Sequence, residues 1–440
     1  MKIKAKLLIV ISFLGITFGY AQERRILSLK EAISLVTTNS NEAVLANMKA
    51  TTSKLEMEII KNNQYPSLKI SGQFLQLTDA NIDSKIKMGG SGSSSEGSSP
   101  IKVSQLFLGQ ANVSMPIFNG FKLKNSISAS ENMYKAETAN AANTKEQLSI
   151  YVVELFAKLF QSQQTATLIE DNLKSAQQRT KDFSAMVDNG LMARNDLLKA
   201  QLQESNIQLS LDTARKNANV INYQLVTVLQ LPENTLIDID IETIKSDMVK
   251  NQSIQTSGQR NDLEALSYQQ KASEAVIKIA KSGYYPSLAL VGGYIAFDLK
   301  DVIKVSNAMN VGVGLSYDLA SIFKNGKEVK LAKSKSEQTK TAVAILTNKI
   351  KEETHEAQEN YNLSLKQNVV YTQAVEQATE NYRIVKDKYD NSLSTTNDLL
   401  EADVQQLQTK INLALSQADI ALKYYQLQFA EGKLINSFSR

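Results

Sequence analysis

Between residues 326 and 425 the chain carries no proline and alternates apolar or small residues in steps of three and four. The outgoing seam is Val329, Ala332, Ser336, Thr339, Val343, Leu346 and Ile350. The returning seam is Leu400, Val404, Leu407, Ile411, Ala414, Ala418, Ala421 and Tyr425. A 3-4 repeat keeps one stripe of a helix turned toward a partner helix, so the stretch predicts a coiled-coil pair. The break between the two falls at Asp390-Asn391-Ser392. At ~1.5 Å per residue the outgoing helix would be on the order of 90 Å long, more than an ordinary domain can wrap. The expectation is a long antiparallel helical hairpin with an exposed tip, to which the remaining chain is fitted.

Upstream, Ser28-Leu29-Lys30-Glu31 has the S-x-x-E spacing of a capping box. It predicts one helix with an apolar stripe of Ala32, Leu35, Val36, Val44, Leu45, Met48, Leu55 and Ile59, ended by Pro66. The period then changes to two: Leu68, Ile70, Gly72 and Phe74 alternate with Lys69, Ser71 and Gln73, the pattern of a half-exposed strand. Residues 89–100, GGSGSSSEGSSP, can bury nothing and read as a solvated loop. A second strand follows with Phe107, Gly109, Ala111, Val113 and Met115 on one face, near ten residues long like the first. Asn119-Gly120 opens a helical run striped by Leu148, Val152, Leu155 and Leu159 and broken at Asp188-Asn189-Gly190. Its return carries Leu211, Ala214, Ala218, Ile221, Leu225 and Val228.

The pattern then repeats. Tyr65-Pro66-Ser67-Leu68 recurs as Tyr285-Pro286-Ser287-Leu288, and Asn195-Asp196-Leu197-Leu198 as Asn397-Asp398-Leu399-Leu400. Between them, alternation resumes at Ala289, Val291, Gly293, Ile295 and Phe297, then at Val311, Val313, Leu315, Tyr317 and Leu319. The expected organisation is a signal peptide at 1–21, a first repeat at 22–230, an equatorial linker at 231–259 and a second repeat at 260–440. Neither repeat is expected to stand as a separate domain.

Composition narrows the function. The formal charge of +4 falls near +1 without Lys2, Lys4 and Lys6 of the expected signal peptide, so there is no basic footprint for nucleic acid. Those lysines precede an apolar run from Leu7 to Phe18 and the small residues Gly19 and Ala21, which predict cleavage before Gln22. That run is too short to span a bilayer as a helix. There is no Cys, which excludes disulfides, thiolate metal sites and Cys nucleophiles. The one His, His355, stands beside Glu352, Glu353 and Glu356, as on a solvated helix face. Gly312-Val313-Gly314 lies within a strand pattern and lacks the rest of a dinucleotide fingerprint. No residue set suggests an enzyme, a cofactor or a metal.

Four amphipathic strands per chain have a length suited to crossing a membrane obliquely. Open sheet edges cannot exist in lipid, and the smallest barrels need about eight strands, so several chains would share one wall. The competing expectation is a periplasmic structural coiled-coil protein whose hairpins pack on its own helices.

These residues resemble the TolC-like outer membrane efflux family. Leu27-Ser28-Leu29-Lys30-Glu31-Ala32-Ile33 is similar to its opening, the two Tyr-Pro-Ser-Leu segments to its strand entries, and Met115-Pro116-Ile117-Phe118-Asn119-Gly120 to its strand-to-helix turn. Arg260-Asn261-Asp262-Leu263 resembles the start of its second half. The resemblance implies an α+β membrane protein: a homotrimer with four strands per chain in a twelve-stranded barrel, continued by a long helical periplasmic tunnel. It implies an exit duct of tripartite efflux or type I secretion, working with a periplasmic adaptor and, through it, an inner-membrane pump. It further implies gate residues Tyr389, Asp390, Ser392 and Ser394, acidic rings at Asp398 and Glu401, and an adaptor-contacting tip at Gly190, Leu191, Asp196 and Leu393. Ser392 replaces a family glycine, and Ser394 stands where the family carries an arginine. Three residues apart, Asp398 and Glu401 share a helix face. They read either as pore-facing rings that favour cations or as acids suited to a helix N-terminus.

Overall fold

A computed structural model describes residues 24–82, 101–239, 260–300 and 303–438. The expected signal peptide, the Gly/Ser loop at 89–100 and most of the expected linker lie outside these residues. In order the elements are β1 (Arg24–Ile26), α1 (Leu29–Asn39), α2 (Asn41–Asn62), β2 (Ser67–Ile82), β3 (Ile101–Asn119), α3 (Lys122–Asp188), α4 (Arg194–Val228) and β4 (Leu236–Asp238). They continue as α5 (Asn261–Lys281), β5 (Ser287–Leu299), β6 (Ile303–Ser316), α6 (Ser321–Asp390), α7 (Thr396–Ala430) and α8 (Leu434–Phe438). No helix among the described residues is long and apolar enough to cross a membrane.

The chain forms two compact units, and each contains segments from both expected repeats. One, made of Lys49–Thr138 and Ala265–Ala344, holds the antiparallel sheet β2-β3-β5-β6. The strands run 16, 19, 13 and 14 residues, longer than the ten that alternation alone predicts. Part of the excess is absorbed by register shifts. Between Pro116 and Phe118, Ile117 is the residue left over on β3, next to a proline that has no N–H for the ladder. Between Ile295 and Phe297 the shift falls opposite Asn307, whose φ is +59°. Gly120, at φ +63°, turns β3 toward α3; a Cβ there would sit 2.6 Å from the Ser282 carbonyl oxygen.

The other unit carries the larger helical core. Leu27, Leu29 and Val36 from the first segment meet Val152, Phe156 and Leu159 of α3, Leu225 of α4, and Tyr425 of α7. The parallel pair β1–β4 edges this core. Asn222 ties β4 down: its side chain donates to the Thr235 carbonyl (2.8 Å) and accepts from the Ile237 N–H (2.9 Å). The start of the expected linker is therefore built into the core. Helix α8 closes the unit, with Phe438 stacked on Tyr425 at 5.2 Å between centroids.

Three details differ from the sequence reading. The first helix is two, because Ser40 turns extended and its hydroxyl accepts from the Ala43 N–H, starting α2 anew. Within the capping box, Ser28 caps the Glu31 N–H while the Glu31 carboxylate receives Arg25. The buried side of α2 is Ala43, Ala46, Ser53 and Met57; the expected stripe of Val44, Leu45, Met48, Leu55 and Ile59 is exposed. Small residues let α2 approach its neighbours closely, so they took the inner side. The outgoing seam of α6 fares better: Val329, Ala332 and Ser336 are buried, and Thr339, Val343, Leu346 and Ile350 half-buried.

Candidate functional site

Two places carry the sequence-level candidates: the sheet, and the far ends of the helical hairpins. In an antiparallel sheet, directly paired residues share a face. The register therefore sorts every strand residue. One face carries the rows Leu68–Val113–Gly292–Val311, Ile70–Ala111–Tyr294–Met309 and Met115–Leu290–Val313. The opposite face carries Ser67–Ser114–Val291–Gly312, Lys69–Asn112–Gly293–Asn310 and Ser71–Gln110–Ile295–Ala308. In these rows the first is apolar or small on all four strands; the second is polar or small except at Val291 and Ile295 of β5. The register puts the series Ala289 to Phe297 on the second face and Val311, Val313 and Leu315 on the first. Tyr317 and Leu319 fall beyond β6. Strand alternation alone could not decide this, because β5 is apolar at nearly every position.

The apolar face is open: Met309 is 80% and Val311 84% exposed. Among the described residues the sheet ends on β2 and β6, each paired on one side only. Long open edges on a two-faced sheet are what proteins avoid unless something completes them.

At the tips, two helix ends share one geometry. After α3, Gly190 takes φ +72°; its N–H donates to the Val187 carbonyl and that of Leu191 to Met186 (2.9 and 2.8 Å). After α6, Ser392 takes φ +62°; its N–H donates to Tyr389 and that of Leu393 to Lys388 (2.9 and 2.7 Å). Both are Schellman closures. Ser392 makes the turn that Gly190 makes at the other tip and adds the strain of a Cβ in the left-handed region. The residue after each, Leu191 and Leu393, is left 79% and 77% exposed.

The other candidates sit as follows. Tyr389 packs its ring 6.0 Å from that of Phe183 on α3. Asp390 pairs with Lys386 (2.8 Å), and Asp196 lies 3.4 Å from Lys199. Asp398 is the third residue of α7 and completes a capping box. Its Oδ2 accepts from the Thr395 N–H, the Thr395 hydroxyl and the Ser394 hydroxyl (2.8, 2.8 and 2.9 Å). Those donors, the backbone N–H first, hold the carboxyl below its ordinary range, so it stays charged. Glu401 is exposed one turn further. His355 is exposed as expected, and no cluster of metal-ligating residues occurs among the described residues.

Sequence reasoning missed a nearly buried ion pair between α3 and α7. Arg179 of α3 donates to Asp403 of α7 at 2.8 Å, and Asn172 donates to the other carboxylate oxygen at 3.1 Å. Both charged side chains are nearly buried, at 10% and 5% exposure. Asp403 precedes the seam residue Val404 in sequence, and nothing local marks it as buried. With it turned inward, Val404 is exposed, as are Leu198, Leu202 and Leu209 of α4.

Residues 63–229 and 254–433, most of the chain, match the model of a family described as outer membrane efflux protein. The chain is 20% identical over 327 residues to the outer membrane efflux protein BepC of Brucella suis biovar 1, covering 72% of this chain and 70% of that one. Its fold matches a crystal structure of CusC with a TM-score of 0.77 at 15% identity, covering 92% of each chain. It matches the Campylobacter jejuni CmeC outer membrane channel with a TM-score of 0.76 at 15% identity, covering 96% of this chain and 91% of that one.

Proposed function

The chain belongs to the outer membrane efflux protein family, and on that premise we propose that three copies form an exit duct. Membership makes it an outer-membrane efflux channel with a large periplasmic helical part. The finer reading is ours. Each chain supplies one third of a twelve-stranded barrel, with the apolar face to lipid, the polar face to the lumen, and β2 of one copy paired to β6 of the next. The single observation that carries it is the two-faced sheet with two open edges. The uncovered stripe on α2 supports it, since it has the apolar character of a face waiting for a neighbouring copy.

The two halves read as a duplication. Each runs a helical segment, split in two in the first half, then a β-hairpin and two long helices, the latter 67 and 35 residues in the first half and 70 and 35 in the second. The helical tips would lie in the periplasm. Exposed Leu191 and Leu393, beside Gly190 and Asp196, would meet the adaptor, which links the duct to an inner-membrane pump. Tyr389, Asp390, Ser392 and Ser394 would form the gate region, with Asp398 and Glu401 as acidic rings. Capping and ring roles are compatible for Asp398, because the cap keeps it ionised.

Purified trimers in planar bilayers test this. The wild type should conduct, prefer cations and be blocked by lanthanum ions from the periplasmic side. D398N/E401Q should weaken that block about tenfold, since Asn keeps an acceptor for the cap while both charges go. Unchanged block removes both residues from the pore. A water-soluble chain without conductance, the behaviour of a structural coiled-coil protein, overturns the duct.

A further inference from the structure

The inward face of the sheet is not uniform along the strands. Its helix-proximal rows are mostly polar or small, built on Ser67, Lys69, Ser71, Gln110, Asn112 and Asn310, with Val291 and Ile295 as their large apolar members. Toward the end remote from the helices, the composition changes. Leu108 pairs with Phe297 and Phe297 with Val305, with Gln73 completing the row. One step further, Leu75, Leu106, Leu299 and Ile303 form a row that is apolar on all four strands. The nearest charges at this level, Asp298 and Lys304, pair with each other at 3.3 Å on the opposite face.

On β2, β3 and β6, these inward apolar side chains are also more enclosed than the outward ones of the same strand. Leu106, Leu108, Phe297, Leu299 and Val305 are half-buried in a single chain, and the edge residues Leu75 and Ile303 are 44% and 49% exposed. Side chains on the concave side of a curved sheet crowd together, and those on the convex side spread apart. The difference therefore places both apolar rows on the inner side.

The geometry points to an apolar collar of Leu75, Leu106, Leu108, Phe297, Leu299 and Ile303 lining the outer end of the tunnel, which contacts the apolar part of amphiphilic organic solutes as they leave. It rests on the trimeric barrel reading, which triples the two rows into a band around the lumen. The collar offers no charged group to a hydrated ion, and its favourable contacts are with carbon. The tips, where acids gather, and the collar would thus act on different features of one solute: its charge first, its apolar surface last.

The absence of cysteine makes the face assignment directly measurable. In otherwise wild-type trimers, L299C and L106C should react with a charged, membrane-impermeant methanethiosulfonate and lose conductance in steps. F107C and V311C, on the outward face, should show no conductance change. Tetraphenylphosphonium should block the wild type, and L75S/L106S/L299S should relieve that block about tenfold, the scale of losing one ring's worth of apolar contact. Block by tetramethylammonium should not change. Equal tetraphenylphosphonium block in both proteins, or conductance changes at F107C and none at L299C, overturns the collar and leaves the duct standing. A wild type that never conducts overturns both. Should the triple variant fail to assemble, the single-cysteine readings decide alone.

Discussion

Glu146 is a carboxylate buried in the helical core, at 5% exposure, and it accepts from the Ile435 N–H at the start of α8 (3.3 and 3.4 Å). Burial pushes its pKa up to about 7, and the backbone hydrogen bond offsets only part of that. The folded state therefore holds a proton that the unfolded chain has released above about 4.5. Stability contributed by the neutral acid is fully present below 4.5 and is lost as the pH rises through 7. E146Q should raise the melting temperature at pH 8 and leave it unchanged at pH 4.5; scanning calorimetry of the two proteins across that window checks it. The helix ends give a second residue-scale prediction. Ser392 and Gln230 both occupy the left-handed region at a helix end, where Gly190 and Gly432 also sit. S392G and Q230G should each stabilise by about 1 kcal/mol, and G190V should destabilise by at least as much, read as shifts in thermal unfolding. No change on S392G would mean the turn is not held as described.

At the scale of elements, the helical hairpin was legible because its information is local and repeated. The seam from Val329 to Ile350 appears in the structure with the expected burial. The tip turns were legible for the same reason, since a left-handed residue followed by a restart leaves its mark within a few positions. What was not legible depends on partners far away in sequence. Alternation in β5 supports either face, and only pairing with Met309, Val311 and Val313 chooses. The Arg179–Asp403 pair joins residues of different repeats, and neither has a neighbour that announces it. The stripe of α2 was legible as apolar but its cover was not, because amphipathicity states that a face needs cover without saying which chain provides it. The sheet yields its own prediction. V311K, in the middle of the outward face, should reduce the folded protein recovered from outer membranes sharply, since a lysine facing lipid there costs roughly 2–4 kcal/mol. N310K, one residue away on the inward face, should assemble near wild-type levels. Equal recovery of the two variants would contradict the assignment of faces.

For the whole molecule, the features left unsatisfied among the described residues of a single chain form one set: two open sheet edges, a largely apolar sheet face and an exposed apolar stripe on α2. Lipid can cover the sheet face but cannot complete the edges, because it offers no hydrogen bonds. Only more strands can do so, and four per chain are too few to close on themselves. Family membership places the chain in the outer membrane, and the proposed duct completes the edges by having copies share one wall. Native mass spectrometry of protein extracted from the outer membrane in mild detergent measures this directly. The account predicts a single species with the mass of three mature chains. A monomer that keeps its strand content and has β2 and β6 paired within one molecule would contradict it.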